Sequence, residues 1–351
     1  KKGLPIIRIQ DLTGNSYDLG YYEGDYPKKI ELNNGDVLIS WSASLGVYHW
    51  NRGKALLNQH IFKVIFDKVN INKFFFMYAV EYNLKKMSLK THGATMKHIT
   101  KKDFDNVIIP FPTLEKQGEI AQDLNIIKRI IEKYNQQINL LDELVKARFV
   151  ELFGDPATNE YNWPMLNLEN VSSIITYGLT VRPTYVNKGI DLISARELHK
   201  GFIEYEVAPK ISFNDFQSLS DKGKPLKNDI LFSKTGSIGH CALVDTDKMF
   251  AITQNAARLG LIIEKVNPVW LLYYLRMNYI QDWCKRHAKG NAVKDLQLKD
   301  IKAIPLFECP LELQNQFADF VKEVDKSRLE VQKSLEKTQE LFDSLMQKYF
   351  G

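Results

Sequence analysis

Cysteine is nearly missing from this chain of 351 residues. The three present, Cys241, Cys284 and Cys309, lie far apart with no Cys-x-x-Cys pair. That pattern excludes a disulfide framework, argues against a structural zinc site and fits a reducing, cytoplasmic setting. Long apolar runs are missing as well: the longest, at 74–80 and 269–275, fall far short of the roughly 20 residues a membrane helix requires. No signal-peptide pattern opens the sequence. None of the 12 prolines adjoins another, which rules out the (N/D)PP(Y/F) signature of amino-methyltransferases. Neither Gly53-Lys54 nor Gly223-Lys224 completes a phosphate-binding GxxxxGK(S/T) loop, and the run from Thr235 to Gly239 lacks GxGxxG. No HExxH, metal-ligand spacing or nucleophile motif occurs, so no catalytic, cofactor-binding or metal residue is assigned. An excess of either charge is slight: Lys+Arg 47 against Asp+Glu 42 gives +5. Only the placement of that charge can mark a polyanion binder. What the chain does have is bulk, since 44% hydrophobic residues exclude disorder as the main state and the length allows two domains.

The sequence also repeats itself. Asn34-Gly35-Asp36-Val37-Leu38-Ile39-Ser40 matches Lys227-Asn228-Asp229-Ile230-Leu231-Phe232-Ser233, and Ser44-Leu45-Gly46 matches Ser237-Ile238-Gly239, both at an offset of 193 residues. Leu57-Asn58-Gln59-His60 answers Ile252-Thr253-Gln254-Asn255, and Met96-Lys97-His98-Ile99 answers Val293-Lys294-Asp295-Leu296. Each copy ends in Ile-Pro (Ile109-Pro110, Ile304-Pro305) and a long helical pattern, the second at an offset of 197. A repeat of this length is a duplicated domain, not a solenoid unit. The second copy begins near Asp155, so residues 155–188 have no counterpart upstream of Lys1. The expectation is a first domain truncated on its N-terminal side, with a naturally shorter start as the alternative.

Between 120 and 152 apolar residues alternate at spacings of four and three (Ile120, Leu124, Ile127, Ile131, Tyr134, Ile138, Leu141, Val145, Leu152), with Arg148 as the break. Adding 197 gives Phe317, Val321, Val324, Arg328, Val331, Leu335, Thr338, Phe342, Leu345 and Tyr349. A narrow 3.5-residue seam suits a partner helix, whereas docking on a globular core asks for a wider face. The seams predict two helices, each about 60 Å long, pairing antiparallel about a pseudo-twofold axis with the globular domains at opposite ends. Packing of each helix on its own domain is the alternative.

The globular parts mix short alternating strands with Gly-, Ser- and Asn-rich loops and one aromatic helix each (72–82 and 268–277), an α+β pattern. Six lysines and no acid fall between Lys85 and Lys102: Lys85, Lys86, Lys90, Lys97, Lys101 and Lys102. The matching stretch carries Lys285, Arg286, Lys289, Lys294, Lys299 and Lys302 against Asp295 and Asp300, with Asn291 among them. Basic clusters at equivalent places on a twofold scaffold suit two contacts with duplex DNA. Side chains with paired donors and acceptors, which can read base edges, collect in the loops after matching strands. In the first copy these are Trp41, Ser42, Ser44, Tyr48, Asn51, Arg52, Asn58, Gln59 and His60. In the second they are Arg182, Lys234, Thr235, Ser237, Gln254, Asn255 and Arg258. The frameworks match while these residues differ, as expected of one module reading two half-sites.

These features resemble the specificity subunit of type I restriction-modification systems. The likeness spans the whole chain and is carried by the helix starts Pro112-Thr113-Leu114-Glu115-Lys116-Gln117 and Pro310-Leu311-Glu312-Leu313-Gln314, by the Val37–Ser40 and Ile230–Ser233 strands with the Ser-x-Gly after each, and by Tyr177-Gly178-Leu179-Thr180. The resemblance implies two tandem target-recognition domains (1–113 and 155–309) separated by two long helices (114–154 and 310–351) that form an antiparallel, pseudo-twofold coiled coil. It implies a non-catalytic protein in which each domain reads one half of a bipartite asymmetric site, while the helices space the halves. Its implied partners are double-stranded DNA, two methyltransferase subunits and, in the full complex, restriction subunits, with no membrane and no cofactor. A non-DNA coiled-coil scaffold and a diverged DNA methyltransferase stay open as alternatives.

Overall fold

The computed structural model describes residues 2–14, 18–41, 44–90, 104 and 106–351, and of residues 89 and 90 the backbone only. The chain forms two compact units, Lys1–Gln137 with Val331–Gly351, and Ile138–Glu330. Two 40-residue helices, a central one (Leu114–Phe153) and a distal one (Leu311–Phe350), are each shared between the two units. Left-handed Gly154 (φ 77°) closes the central helix, and its N–H returns to the Val150 carbonyl at 2.8 Å.

Unit 1 holds two small sheets. One has the order β2 (Gly20–Tyr22), β1 (Leu4–Ile7), β6 (Ala55–Leu57) and β3 (Glu31–Leu32), with the short helix α1 (Ile9–Leu12) after β1. The other has the order β5 (Gly46–His49), β4 (Val37–Ser40) and β7 (Ile61–Lys63), all antiparallel. Helix α2 (Lys73–Lys90) follows. Its start is capped by Asn72, whose Oδ1 accepts from the N–H groups of Phe74 and Phe75 at 3.0 and 3.1 Å.

Unit 2 repeats the plan with more strands. A two-stranded ladder joins β8 (Met165–Asn167) to β17 (Pro305–Phe307). A four-stranded sheet runs β14 (Cys241–Leu243), β13 (Ile230–Ser233), β16 (Ala256–Leu261) and β9 (Ser172–Tyr177), and a second runs β10 (Tyr185–Val186), β12 (Lys210–Ile211), β11 (Ile190–Ile193) and β15 (Phe250–Ile252). Helix α3 (Phe213–Ser218) follows β12. Strand β13 matches β4. Strand β7 is an edge among the described residues, whereas its counterpart β16 is flanked by β9. Helix α4 (Pro268–Arg276) matches the start of α2 and is capped in the same way, Asn267 Oδ1 accepting from Val269 and Trp270. Helices α5 (Asn278–His287) and α6 (Leu298–Lys302) complete the unit.

In both units the long helices pack on each other and on the aromatic helix, so the two packing modes expected as alternatives coexist. In unit 1, Ile120, Ala121, Leu124 and Ile127 of the central helix meet Phe342, Met346 and Phe350 of the distal helix and Phe75, Tyr78 and Ala79 of α2. In unit 2 the roles exchange: Val145, Phe149 and Phe153 meet Phe317, Val321, Val324, Trp270 and Tyr274. The start of one helix therefore lies against the end of the other, which makes the pair antiparallel. Each buried aromatic side chain contributes about 1.5–3 kcal/mol, and Phe149 adds an edge-to-face contact with Phe317 at 5.3 Å. The sequence seam placed Leu345 and Tyr349 inward; both pack half-buried against this core, and Met346 and Phe350 beside them are buried more deeply. At its ends each helix has two neighbours, so the buried face widens to a four-residue step.

Candidate nucleic-acid interface

The two units share a structural frame around their central strands. Asp36, before β4, accepts from the N–H of Asn33 at 2.8 Å and pairs with Lys63 at 2.8 Å. Asp229, before β13, accepts from the N–H of Leu226 and pairs with Arg258, both at 2.6 Å. At the far ends of these strands Ser40 donates to the Ser44 carbonyl and Ser233 to the Ser237 carbonyl, closing two matched tight loops. The loops project from the same sheet end as the segments that start β7 and β16, because Ser40 pairs with Ile61 and Ser233 with Ala256.

On this end of unit 2 four stretches meet. Leu179 bridges Thr253, Thr235 bridges Asp295, and Asp295 bridges Lys289. The N–H of Gly236 donates to the Lys294 carbonyl, and that of Leu296 to the Lys234 carbonyl, both at 2.8 Å. The loop after β13 is thereby tied to the lysine-bearing stretch after α5. Asp295 Oδ1 accepts from Lys234 Nζ at 2.5 Å and from Thr235 Oγ1 at 2.6 Å. Burial pushes the Asp295 carboxyl up, but those two hydrogen bonds and the Lys234 charge outweigh it and hold it below the usual carboxylate range. Gln254, Ser237, Lys285, Arg286, Lys289, Asn291 and Lys294 are exposed, as is Arg182. Lys234, Thr235 and Asn255 are half-buried.

Arg258 requires a correction. It is 6% exposed, its Nε donates to Asp229 and its NH1 to the Asp221 carbonyl at 2.8 Å. It is the structural counterpart of Lys63, and its burial and these two hydrogen bonds hold it away from the surface. Its place in mid-strand, facing Leu231, withdraws it from the loop that Gln254 and Asn255 form.

In unit 1 the residues grouped by sequence divide between two places. Trp41, Ser44, Asn58, Gln59 and His60 lie at the loop end, where the Trp41 ring stacks on Phe62 (5.7 Å, 15°) and sits 6.0 Å from His60. Asn51 and Arg52 follow β5 at the other end of the hairpin, since His49 pairs with Val37 and not with Ser40. A four-residue strand at 3.3 Å per residue sets the two groups about 13 Å apart. Arg52 donates to the Asp11 carbonyl at 3.1 Å. With Tyr48 it lines a cleft of about 300 Å³ bounded by Trp50, Phe74, Tyr78, Glu81 and Lys128. Burial pushes the Tyr48 hydroxyl up. Lys85 pairs with Asp343 of the distal helix at 3.2 Å, and Lys86 is exposed. Ser42, Lys97 and Lys101, and the Lys90 side chain, lie outside the described residues.

Sequence reasoning missed Asp295, which it counted only as an acid offsetting lysines, and the pair Gln117 and Gln314, noted as helix-start letters but not as hydrogen-bonding groups. Among the described residues no group of three or more His, Cys, Asp or Glu could hold a metal ion, and no helix is long and apolar enough to cross a membrane.

Two copies of one mixed domain, each fixed to an antiparallel helix pair and each presenting different loop residues on a common frame, define a duplicated recognition protein. The chain belongs to the type I restriction modification DNA specificity domain family, whose model matches residues 1–142 and again 181–341. It is 24% identical over 381 residues to the type I restriction enzyme EcoBI specificity subunit of Escherichia coli, covering 100% of this chain and 80% of that protein. It is 23% identical over 321 residues to the MjaVIII specificity subunit of Methanocaldococcus jannaschii, covering 85% and 74%. Among solved structures, the fold is similar to the type I restriction-modification S subunit from M. genitalium (TM-score 0.54, 15% identity, 91% and 83% covered). It is also similar to a chain from a structure on complex assembly and conformational transition of the type I R-M system (TM-score 0.52, 16% identity, 91% and 82% covered).

Proposed function

We propose that the chain selects an asymmetric, bipartite duplex sequence for a type I restriction-modification complex and performs none of the chemistry itself. The loop end of each unit reads one half-site. The observation that carries this reading is the contrast at matched positions on one frame: Trp41 and His60 in unit 1 stand where Lys234 and Asn255 stand in unit 2. Identical frames supply the same approach to a duplex, and different side chains supply different base preferences. Exposed Lys285, Arg286 and Lys294 give unit 2 the phosphate contacts that hold a recognition loop in register.

The long helices act as the spacer between half-sites, and their outward faces dock two methyltransferase subunits, with restriction subunits joining that core. A complex of this kind works on cellular DNA, which places it in the cytoplasm. Methylome sequencing of cells with and without the chain tests the whole reading. Loss of one split motif is the expected result. Loss of an uninterrupted motif, or of none, overturns it.

A further inference from the structure

The Asp295 carboxylate is out of character with its surroundings. It is 39% exposed on its side chain, pairs by backbone with exposed Lys289 and follows exposed Lys294. A surface built only to hold phosphates gains nothing from an anion, which lowers affinity for every duplex alike. Its placement is also fixed. Asp295 forms the middle of a three-stranded bridge with Thr235 on one side and Lys289 on the other, and exchanges both backbone hydrogen bonds with Lys289 at 2.8 Å. Residues directly opposite in such a bridge put their side chains on one face, so Thr235, Asp295 and Lys289 share a face. Both protein donors, from Lys234 and Thr235, converge on Oδ1. No described residue donates to Oδ2. The result is an oriented acceptor with one oxygen available and a cation beside it.

We propose that Asp295 is a base-reading residue of unit 2, accepting a hydrogen bond from the N4 amino group of a cytosine while Lys289 donates to the guanine paired with it. The inference rests on the proposed reading of DNA by unit 2 and adds the base. Among major-groove edges, an exocyclic amino group is the donor a carboxylate can accept from. Adenine places its N7 acceptor beside that amino group, which repels a carboxylate. Cytosine has no acceptor there, and the guanine O6 and N7 across the pair call for a donor such as the Lys289 ammonium. The carboxylate would also repel the acceptor edges of thymine and guanine at that position, so it selects by repulsion as well as attraction. The copy in unit 1 carries His98 at the matching place in sequence, so the preference belongs to one half-site only.

The test begins with selection of bound duplexes from a random library by the full chain with its methyltransferase partners. On the selected duplex, each cytosine is then replaced in turn by 2-pyrimidinone, which lacks only the amino group. Binding is expected to fall on the order of tenfold to a hundredfold at one position of one half-site, the range of a hydrogen bond to a charged group. Asp295→Asn should lose that discrimination while binding unrelated duplex as well as or better than the parent, because one negative charge is gone. A merely structural carboxylate would instead weaken all duplexes together. The analogue experiment uses the unaltered protein, so misfolding of the variant does not shield the proposal. Tolerance of 2-pyrimidinone at every position, or an unchanged motif for Asp295→Asn, overturns the assignment of Asp295 and leaves recognition by unit 2 standing. Failure to select any motif overturns both.

Discussion

Gln117 accepts a hydrogen bond from the backbone N–H of Asn72 at 2.9 Å, and 197 residues later Gln314 accepts one from Asn267 at the same distance. Each glutamine also donates through Nε2 to the carbonyl five residues before it, Pro112 at 2.8 Å and Cys309 at 2.9 Å. Both glutamines are buried, at 1% and 2% exposure. One side chain thus joins three things: the first turn of a long helix, the segment that leads into it and the cap of the aromatic helix. The proline-to-glutamine pattern at each helix start is the sequence trace of this joint.

Replacing Gln314 by leucine keeps the volume and deletes both hydrogen bonds. The N–H of Asn267 and the carbonyl of Cys309 then lose their partners, a cost of about 2–6 kcal/mol at roughly 1–3 kcal/mol for each orphaned group. Urea denaturation should show the drop, and Gln117→Leu should show a similar one in unit 1. A loss under about 1 kcal/mol in both would mean that water or a shifted backbone satisfies these groups.

Arg258 and Lys289 separate stability from binding. Arg258→Ala leaves Asp229 buried at 5% exposure with its charge unpaired, which costs about 3–5 kcal/mol. It should leave the selected DNA motif unchanged in the molecules that remain folded. Lys289→Ala is expected to do the reverse, keeping the melting temperature within about 2 °C and weakening DNA binding. Titrations across a salt series, beside thermal melts of the same samples, check both. A stable Arg258→Ala protein with altered base preference would return Arg258 to the interface.

That pair also marks how far the sequence could be read. The duplication, the helix pair and the aromatic helices follow from offsets and periods that lie along the chain, and so they were legible. Arg258 was not, because its partner Asp229 lies just before the neighbouring strand, 29 residues away. Four residues on from the polar Gln254, it reads as loop until β16 is known to begin at Ala256. Asn51 and Arg52 were grouped with Ser44 because sequence distance hides the reversal of a hairpin. Met346 and Phe350 join the half-buried Leu345 and Tyr349 on the packed face because α2 is a second neighbour that no heptad pattern announces. Asp295 was invisible as an acceptor because its orientation comes from Thr235 and Lys289, which only the folded bridge brings together.

Asp191 makes acid unfolding of unit 2 partly predictable. It is 1% exposed, paired with Lys210 and, at 2.5 Å, with Lys248, whose ammonium also lies 4.8 Å from the Tyr205 ring centre. Burial pushes its carboxyl up, but hydrogen bonds from the two lysines and their charges prevail and hold it below the usual carboxylate range. A folded pKa below the unfolded one, near 3.9, means stability that is fully present above about pH 5 and is lost as pH falls through the folded value. Asp191→Asn should lower stability at neutral pH and flatten the decline below about pH 4. Urea midpoints from pH 6 to pH 3 measure this, and parallel curves for the two proteins would refute it.

The helix pair carries one polar contact that its pseudo-symmetry does not repeat. Arg328 of the distal helix reaches Asp142 of the central helix at 2.6 Å and Asp325 on its own helix at 2.7 Å. Its counterpart 197 residues earlier is Ile131, an apolar seam residue. Asp142 is 53% exposed, so the attraction is solvent-screened, while the Arg328 side chain is only 20% exposed and its Nε is buried without a hydrogen-bond partner. Desolvation therefore cancels much of the gain. A double-mutant cycle of Arg328→Ala with Asp142→Ala should give a coupling of about 0.5–1 kcal/mol at low salt, shrinking towards zero near 1 M salt. Arg328→Ile, which copies Ile131, should leave stability within about 1 kcal/mol of the parent or raise it. A coupling above about 3 kcal/mol that resists salt would instead make this ion pair a main support of the helix pair.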